Sequence, residues 1–300
     1  MNRRDFLKIA GMAGIGLSVP AEIKAILEVK EETQPPDLIV AKGKSAEVIT
    51  RAAIDAIGGI RRFISRGDIV VIKPNMAWDR VPEQAANTNP DVVATVTKLC
   101  FEAGAKKVKV FDRPVNDPRR CYIQSGIAQA VRSLGADADF VDDRKFRVMK
   151  MKGEAMKEWP LYIEIFEADK VINIPVAKHH SLAKLTMSMK NWMGIMGGER
   201  NQIHQKLDRS LVDLSMVVKP TLTVLDAVRV LTANGPQGGN LADVQRLDTV
   251  IVSMDQVAVD SYGATLFGMK GSDLGYVKIA ADYGIGKMDL EKVRIRKLNI

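Results

Sequence analysis

The chain predicts an α/β fold: a mostly parallel, doubly wound sheet with helices on both faces, single-lobed or weakly bilobed. Two observations carry this. Short Val- and Ile-rich runs alternate with helical patterns of roughly 10–15 residues, the spacing of βαβ units. Polar residues also follow the runs directly, at Lys73-Pro74-Asn75, Asp112-Arg113-Pro114, Lys178-His179-His180, Asp226 and Asp255. In a parallel sheet such positions share the carboxyl edge, where doubly wound folds bind ligands. Asp and Asn are also common helix caps, which explains Asp255 well and Lys73, Lys178 and His180 poorly.

Asp68–Lys73 reads as the first strand. Pro90–Ala103 follows as a helix, with Pro at its start, apolar residues at helical spacing and Gly104 at its end. Lys107–Phe111 alternates with period two and is a strand; Tyr122–Leu134 is a helix closed by Gly135. Asp139–Val141 is a short strand, and Val148–Tyr162 is irregular, with a hairpin as one arrangement. Lys170–Ile174 is a strand and Leu211–Val218 a helix. Thr221–Leu225 and Thr249–Ser253 are strands, and Asp255–Leu266 and Leu274–Ala281 are helices. The chain has no internal repeat or low-complexity tract.

Several function classes are excluded by composition. The formal charge is +8, of which residues 1–21 contribute a net +2, leaving +6. That mild excess suits an anionic ligand or plain solubility. No Lys/Arg block is interleaved with aromatics, so nucleic acid is not an expected partner. Cys100 and Cys121 form no Cys-x-x-Cys pair, so neither an iron–sulfur cluster nor a structural zinc is expected. Outside the cytoplasm the two are compatible with a disulfide, which spacing does not establish.

The N-terminus carries Arg3-Arg4-Asp5-Phe6-Leu7-Lys8, an uncharged Gly/Ala-rich run from Ile9 to Val19, and Pro20-Ala21. This resembles a twin-arginine export signal. The run is far shorter than the ~20 residues of a membrane span, and no later stretch is long and apolar enough to make one. The resemblance implies the twin-arginine translocase as a partner during export, a periplasmic or extracytoplasmic location, and no stable membrane span after processing. The expected organisation is a signal at 1–21, a charged linker at 22–37 containing Pro35-Pro36, and a single α/β domain at 38–300.

Motifs from about residue 38 onward resemble a known family. They are KPN at Lys73–Asn75, TNPDVV at Thr88–Val93, EAGAKKVKVFD at Glu102–Asp112, INIPVAKHH at Ile172–His180, Thr186 with Lys190-Asn191-x-x-Gly194, Gly235-Pro236, and SMDQVAVD at Ser253–Asp260. The family is domain of unknown function 362. Its Lys-x-His, Thr and Lys-Asn positions match Lys178, His180, Thr186, Lys190 and Asn191, while His179 falls at a variable place. Some members carry a ferredoxin-like Cys-rich segment, which this chain lacks.

The residues themselves suggest a site. Lys73, Lys178 and Lys190 suit a carboxylate or phosphate, with Lys178 and Lys190 as catalytic candidates beside His180, the natural general acid/base. Asn75, Asn191 and Thr186 are candidate substrate-binding groups, the amides as donors to an oxyanion. Asp112 and Asp226, with Asp255, suit a divalent metal or the orientation of a lysine, and His204 with His180 and one Asp suits a two-His-one-carboxylate centre. Gly194–Gly198 suits backbone contact with an anion, but no P-loop or Gly-x-Gly-x-x-Gly pattern is present. Met187, Met189, Trp192, Met193 and Met196 suit core or pocket wall. The expected function is an exported enzyme acting on a small anionic substrate, with a metal or metal–organic cofactor. The alternatives are a non-catalytic extracytoplasmic binder of an anion or metallo-cofactor, and an assembly factor for a redox complex. Replacing both Arg3 and Arg4 with Lys is expected to leave unprocessed precursor in the cytoplasm; fractionation and immunoblotting showing normal processing would refute the export reading.

Overall fold

The computed structural model of the chain describes residues 35–300. The signal at 1–21, with Arg3-Arg4, and nearly all of the linker lie outside the described residues. β1 (Leu38–Lys42) leads into α1 (Ala46–Ala56), which is capped by Ser45, and β2 (Ile69–Pro74) leads into α2 (Pro90–Ala103). α2 begins where the sequence places it: Asn89 Oδ1 accepts from Asp91 N, Pro90 occupies the first turn, and Gly104 closes the helix at φ +98°. β3 (Lys107–Val110) is followed by α3 (Pro118–Gln124) and α4 (Ile127–Arg132). A separate antiparallel hairpin, β4 (Phe146–Lys150) and β5 (Glu158–Tyr162), precedes α5 (Glu164–Glu167). β6 (Lys170–Ile174) passes Pro175 into β7 (Val176–His180), which turns back as β8 (Lys184–Thr186) and runs into α6 (Ser188–Asn191). α7 (Leu207–Val217), β9 (Leu222–Leu231), β10 (Val244–Ser253), α8 (Gln256–Thr265), α9 (Gly275–Asp282) and β11 (Ile295–Asn299) complete the described chain.

The main sheet runs β11-β1-β10-β9-β6-β2-β3, with β7 on β9 and β8 on β7. β2 pairs in parallel with β3 and β6, β9 with β6 and β7, and β1 with β11. β10 is antiparallel to both its neighbours, and β8 to β7. The fold is thus mixed α/β with a mostly parallel sheet. Strand alternation feeds two cores. Leu38, Val40, Val71 and Ile251 face one with residues of α7, α8 and α9; Ile39, Ala41, Val70, Ile72, Val250 and Val252 face the other with those of α1, α2 and α4.

Several expectations are corrected. Tyr122–Leu134 is not one helix, because it breaks at Ser125-Gly126, where Gly126 takes φ +71°. Asp139–Val141 forms no strand; an isolated bridge pairs Asp137 with Lys109 instead. Lys178-His179-His180 do not follow a strand end but lie within β7: beyond Pro175, whose O accepts from Asp226 N (2.9 Å), Val176 pairs with Asp226 in the register of β6, and the register shifts only between Val176 and Lys178. Asp226 is not a strand end, since β9 runs on to Leu231. Asp255 follows the antiparallel β10 and so lies at the opposite edge, capping α8 through Val257 N and Ala258 N. The cysteines are buried free thiols, and burial pushes both up to about 12, an unreactive state.

At the carboxyl edge, Lys73 at the end of β2 meets Asp112 just beyond β3, with Nζ 2.9 Å from Oδ1 and both side chains out of solvent. Gly194 packs directly on this pair. A Cβ there would overlap the Asp112 carboxylate and stand 2.7 Å from Lys73 Nζ. Gly194→Ala is therefore expected to lower stability by about 1–3 kcal/mol, the usual cost of overpacking, read from the urea midpoint. An unchanged midpoint would mean that the 192–196 turn is free to move away.

Candidate functional site

Because β2, β3 and β6 are parallel neighbours, the segments leaving their carboxyl ends meet. They enclose a cavity of about 280 Å³ whose wall includes Asn75, Trp78, Asp112, Arg113, Lys178 and His180, with Thr186, Lys190, Asn191, Met193, Arg200, His204 and Pro236. Eight sequence-predicted site residues line it together: Asn75, Lys178, His180, Thr186, Lys190, Asn191, Asp112 and His204. A wider depression of about 550 Å³ beside α1 and α2 is lined by charges of both signs, including Glu47, Asp91, Lys98 and Arg229, and contains no buried cation.

The cavity floor is a connected polar network. Lys73 lies just behind it, donating to Pro74 O (2.7 Å) and Asn191 Oδ1 (3.2 Å) besides its pairing with Asp112. Burial lowers the Lys73 pKa, and Asp112 opposes that. The other Asp112 oxygen accepts from Met76 N at 2.7 Å. Asn191 Nδ2 donates to Lys73 O (3.0 Å) and Asn173 Oδ1 (2.8 Å), and Asn173 Nδ2 donates to Ser188 O (3.0 Å). Asp260 on α8 in turn accepts from Ser188 N and Met189 N at 2.7 and 3.0 Å, fixing the start of α6. Asn75 Nδ2 reaches Asn191 Oδ1 at 3.3 Å. Asn75 and Asn191 thus hold one another and Lys73, rather than standing free as oxyanion donors.

The two inner lysines differ from Lys73. Lys178, fully buried, donates to Ala86 O, lies 3.5 Å from Asn75 Oδ1, and sits 5.6 Å from the centre of the Trp78 ring. Lys190, 6% exposed, has one hydrogen-bond partner among the described residues, the Met193 thioether sulfur at 3.1 Å. Neither has a carboxylate partner among the described residues. Burial drives both pKa values down: that of Lys178 well below the usual lysine value, with Lys190 adding to the effect, and that of Lys190 to about 7, with help from the Arg200 cation.

His180 departs from its expected role. Its Nδ1 accepts from Leu182 N (3.1 Å) and Ala183 N (3.2 Å), which assigns the proton of the neutral ring to Nε2. Burial, reinforced by Lys190 and Lys178, lowers its pKa to about 3. The imidazole therefore stays neutral through the mildly acidic range and is a hydrogen-bond donor, not a proton shuttle near pH 7. His204 stacks beside it, ring centres 6.4 Å apart, with Nδ1 2.9 Å from Asn201 O. Thr186 Oγ1, buried at the cavity wall, has no hydrogen-bond partner among the described residues.

Of the metal set expected at Asp112, Asp226 and His204, the structure brings Asp112 and His204 to the cavity and leaves Asp226 outside it. Asp226 accepts from Asn89 N (2.7 Å) and Val228 N (2.9 Å) and does not line the cavity; burial raises its pKa to about 6. Asp112 is engaged by Lys73 and Met76 N. Among the described residues, no group of three or more His, Cys, Asp or Glu is placed to hold a metal ion. Sequence reasoning missed Trp78, Pro236, Arg113 and Arg200. Arg200 donates to Arg113 O and Pro114 O (2.7 Å each), and Arg113 donates to Met196 O (3.0 Å). Arg113 directly follows Asp112 at a strand end, a signal that was available; Arg200 gave none.

Comparison with known proteins adds the following. A thylakoid-associated protein of Synechocystis is 28% identical over 218 residues, covering 70% of this chain and 66% of that protein, just under two thirds of its length. The lactate racemase apoprotein of Thermoanaerobacterium thermosaccharolyticum is similar at TM-score 0.46 and 11% identity, over 74% of this chain and 55% of that one. A Thermotoga maritima protein is similar at TM-score 0.41 and 8% identity, over 79% and 59%. Neither structural likeness bears on activity. No helix among the described residues is long and apolar enough to cross a membrane. The family model described as domain of unknown function (DUF362) matches residues 70–265, more than half of the chain, and the chain belongs to that family.

Proposed function

We propose that this is an exported protein whose carboxyl-edge cavity takes a small anion, and that the anion is a substrate rather than a cargo. One observation carries the reading. Lys178, Lys190, Arg113 and Arg200 line the cavity, whereas its sole lining carboxylate among the described residues, Asp112, is already held by Lys73. Cations taken out of water without counter-charges are costly unless they lose their protons or meet an anion. The unpartnered Thr186 hydroxyl and the Nε2–H of His180 supply neutral donors to the same ligand. A cleft lysine with a strongly displaced pKa favours catalysis over simple capture. No step is routed through a metal, because the candidate donors are engaged elsewhere or lie apart.

The binding reading has a pH signature. If Lys190 contributes its ammonium, affinity for inorganic phosphate or a simple carboxylate falls as pH rises through about 7, where it loses its proton. His180 adds no inflection between pH 5 and 7, because it is neutral throughout. His180→Gln keeps an acceptor and a donor, and is expected to cost tenfold or less in affinity, about one neutral hydrogen bond. Calorimetric titration across pH tests both; an inflection near 6 that His180→Gln abolishes would restore the imidazole as a titrating group.

Stability gives an independent test. The unfolded lysine holds its proton to about 10.5, the folded Lys190 only to about 7. Between these limits the unfolded state binds more protons, so this residue makes stability rise with pH. Lys190→Met is expected to flatten that rise and to add about 0.5–2 kcal/mol at neutral pH, as is common when a strained site residue is removed, while weakening anion binding. Thermal melts at pH 7 and 9, with and without phosphate, decide it. A destabilised Lys190→Met would make Lys190 a packing residue instead.

A further inference from the structure

Three buried lysines approach the carboxyl edge, and each has a different set of partners. Lys73 is an ion-paired ammonium, with Asp112 at 2.9 Å and two oxygens besides. Lys178 points its hydrogens at the Ala86 carbonyl and the Asn75 amide oxygen, and presents its charge to Trp78. Lys73 is thus committed to a carboxylate and Lys178 to two oxygens. Among the described residues Lys190 meets only a thioether, which is a weak acceptor and does not hold a proton on the amine. It lines the cavity beside the cations of Arg200 and Lys178 and the neutral donors of Thr186 and His180.

We propose that Lys190 is a nucleophilic amine and that the anion taken by the cavity is a 2-oxo acid, captured as an imine. This rests on the anion-pocket reading above and names its substrate class. The carboxylate lies against Lys178 and Arg200, and the adjacent carbonyl faces Lys190. The Nζ lone pair attacks the carbonyl carbon and the C=O π pair moves to oxygen. One proton passes from nitrogen to that oxygen, giving a carbinolamine whose hydroxyl accepts from His180 Nε2–H or donates to Thr186 Oγ1. The second nitrogen proton and the hydroxyl leave as water while the C=N bond forms. No oxidant or reductant is needed. Burial favours the uncharged amine and also disfavours the charge of a departing hydroxide, so the proton must travel with the oxygen. Lysines held in this way are established nucleophiles toward carbonyls.

The full chain is incubated with glyoxylate or pyruvate and sodium cyanoborohydride, which reduces the imine to a stable secondary amine. Lactate and inorganic phosphate serve as non-carbonyl anions. Intact-mass measurement and peptide mapping are expected to find one reduced adduct, on the peptide bearing Lys190, in the wild-type protein. That adduct is lost in Lys190→Arg and retained in Lys98→Arg, a change at an exposed lysine away from the cavity. An adduct spread over exposed lysines, or none at all, overturns the covalent step. Thermal shifts in the same samples separate the two levels. Stabilisation by lactate and pyruvate alike without an adduct leaves an anion pocket and removes the imine. Absence of both removes the pocket reading as well.

Discussion

The site depends on one buried ion pair. Lys73 and Asp112 sit at the ends of adjacent parallel strands, fully out of water. Such a pair adds little to net stability, because desolvation offsets most of the attraction. Its effect here is positional. It joins the ends of β2 and β3, and Asn191 extends that link to β6 through Asn173. Asp260 fixes α6 through its first backbone N–H groups. Satisfied networks of this kind hold a unique arrangement, whereas a half-satisfied one would not. Lys190 is consequently presented from a short helix whose position is determined by buried polar contacts rather than by its own propensity.

Much of the fold was legible because it rests on local patterns. Pro90 and Gly104 bracket α2 by backbone chemistry that any context would respect. The convergence of Lys73, Asp112, Lys178 and His180 was also legible, since it follows from parallel strands sharing a direction. The same rule failed for Asp226 and Asp255. Strand length and strand direction are set by partners far away in sequence: β9 runs on beside β10, and β10 runs the opposite way. Neither fact has a local signal. The two aspartates are instead backbone acceptors, a role that composition does not separate from metal ligation.

The surroundings of His180 were not legible for a related reason. An isolated imidazole titrates near neutrality, and the expectation of a proton shuttle came from that reference value. Burial, reinforced by Lys190 and Lys178, lowers that value, and two backbone amides occupy Nδ1. The lysine readings moved the other way. Three apparently equivalent ammonium groups became three different species, one paired with a carboxylate, one held by carbonyl oxygens, and one nearly alone. Residue type suggested the class of ligand; only the contacts distinguished the members.

His179 and His180 are adjacent on β7, and the alternation of a strand sends their rings to opposite sides. His180 faces the cavity. His179 Nδ1 instead accepts from Gly235 N at 3.1 Å, beside the cis Gly235-Pro236 bond, where Gly235 lies too close to the His179 carbonyl to carry any side chain. Pro236 reaches the cavity wall. A single dipeptide therefore serves as both occupant and scaffold: one ring furnishes a contact surface while its neighbour seats the loop that completes the enclosure. A substitution at the variable position of the Lys-x-His motif is then not silent by default. Its effects on ligand affinity would arise through the far wall, with the lysines and His180 untouched.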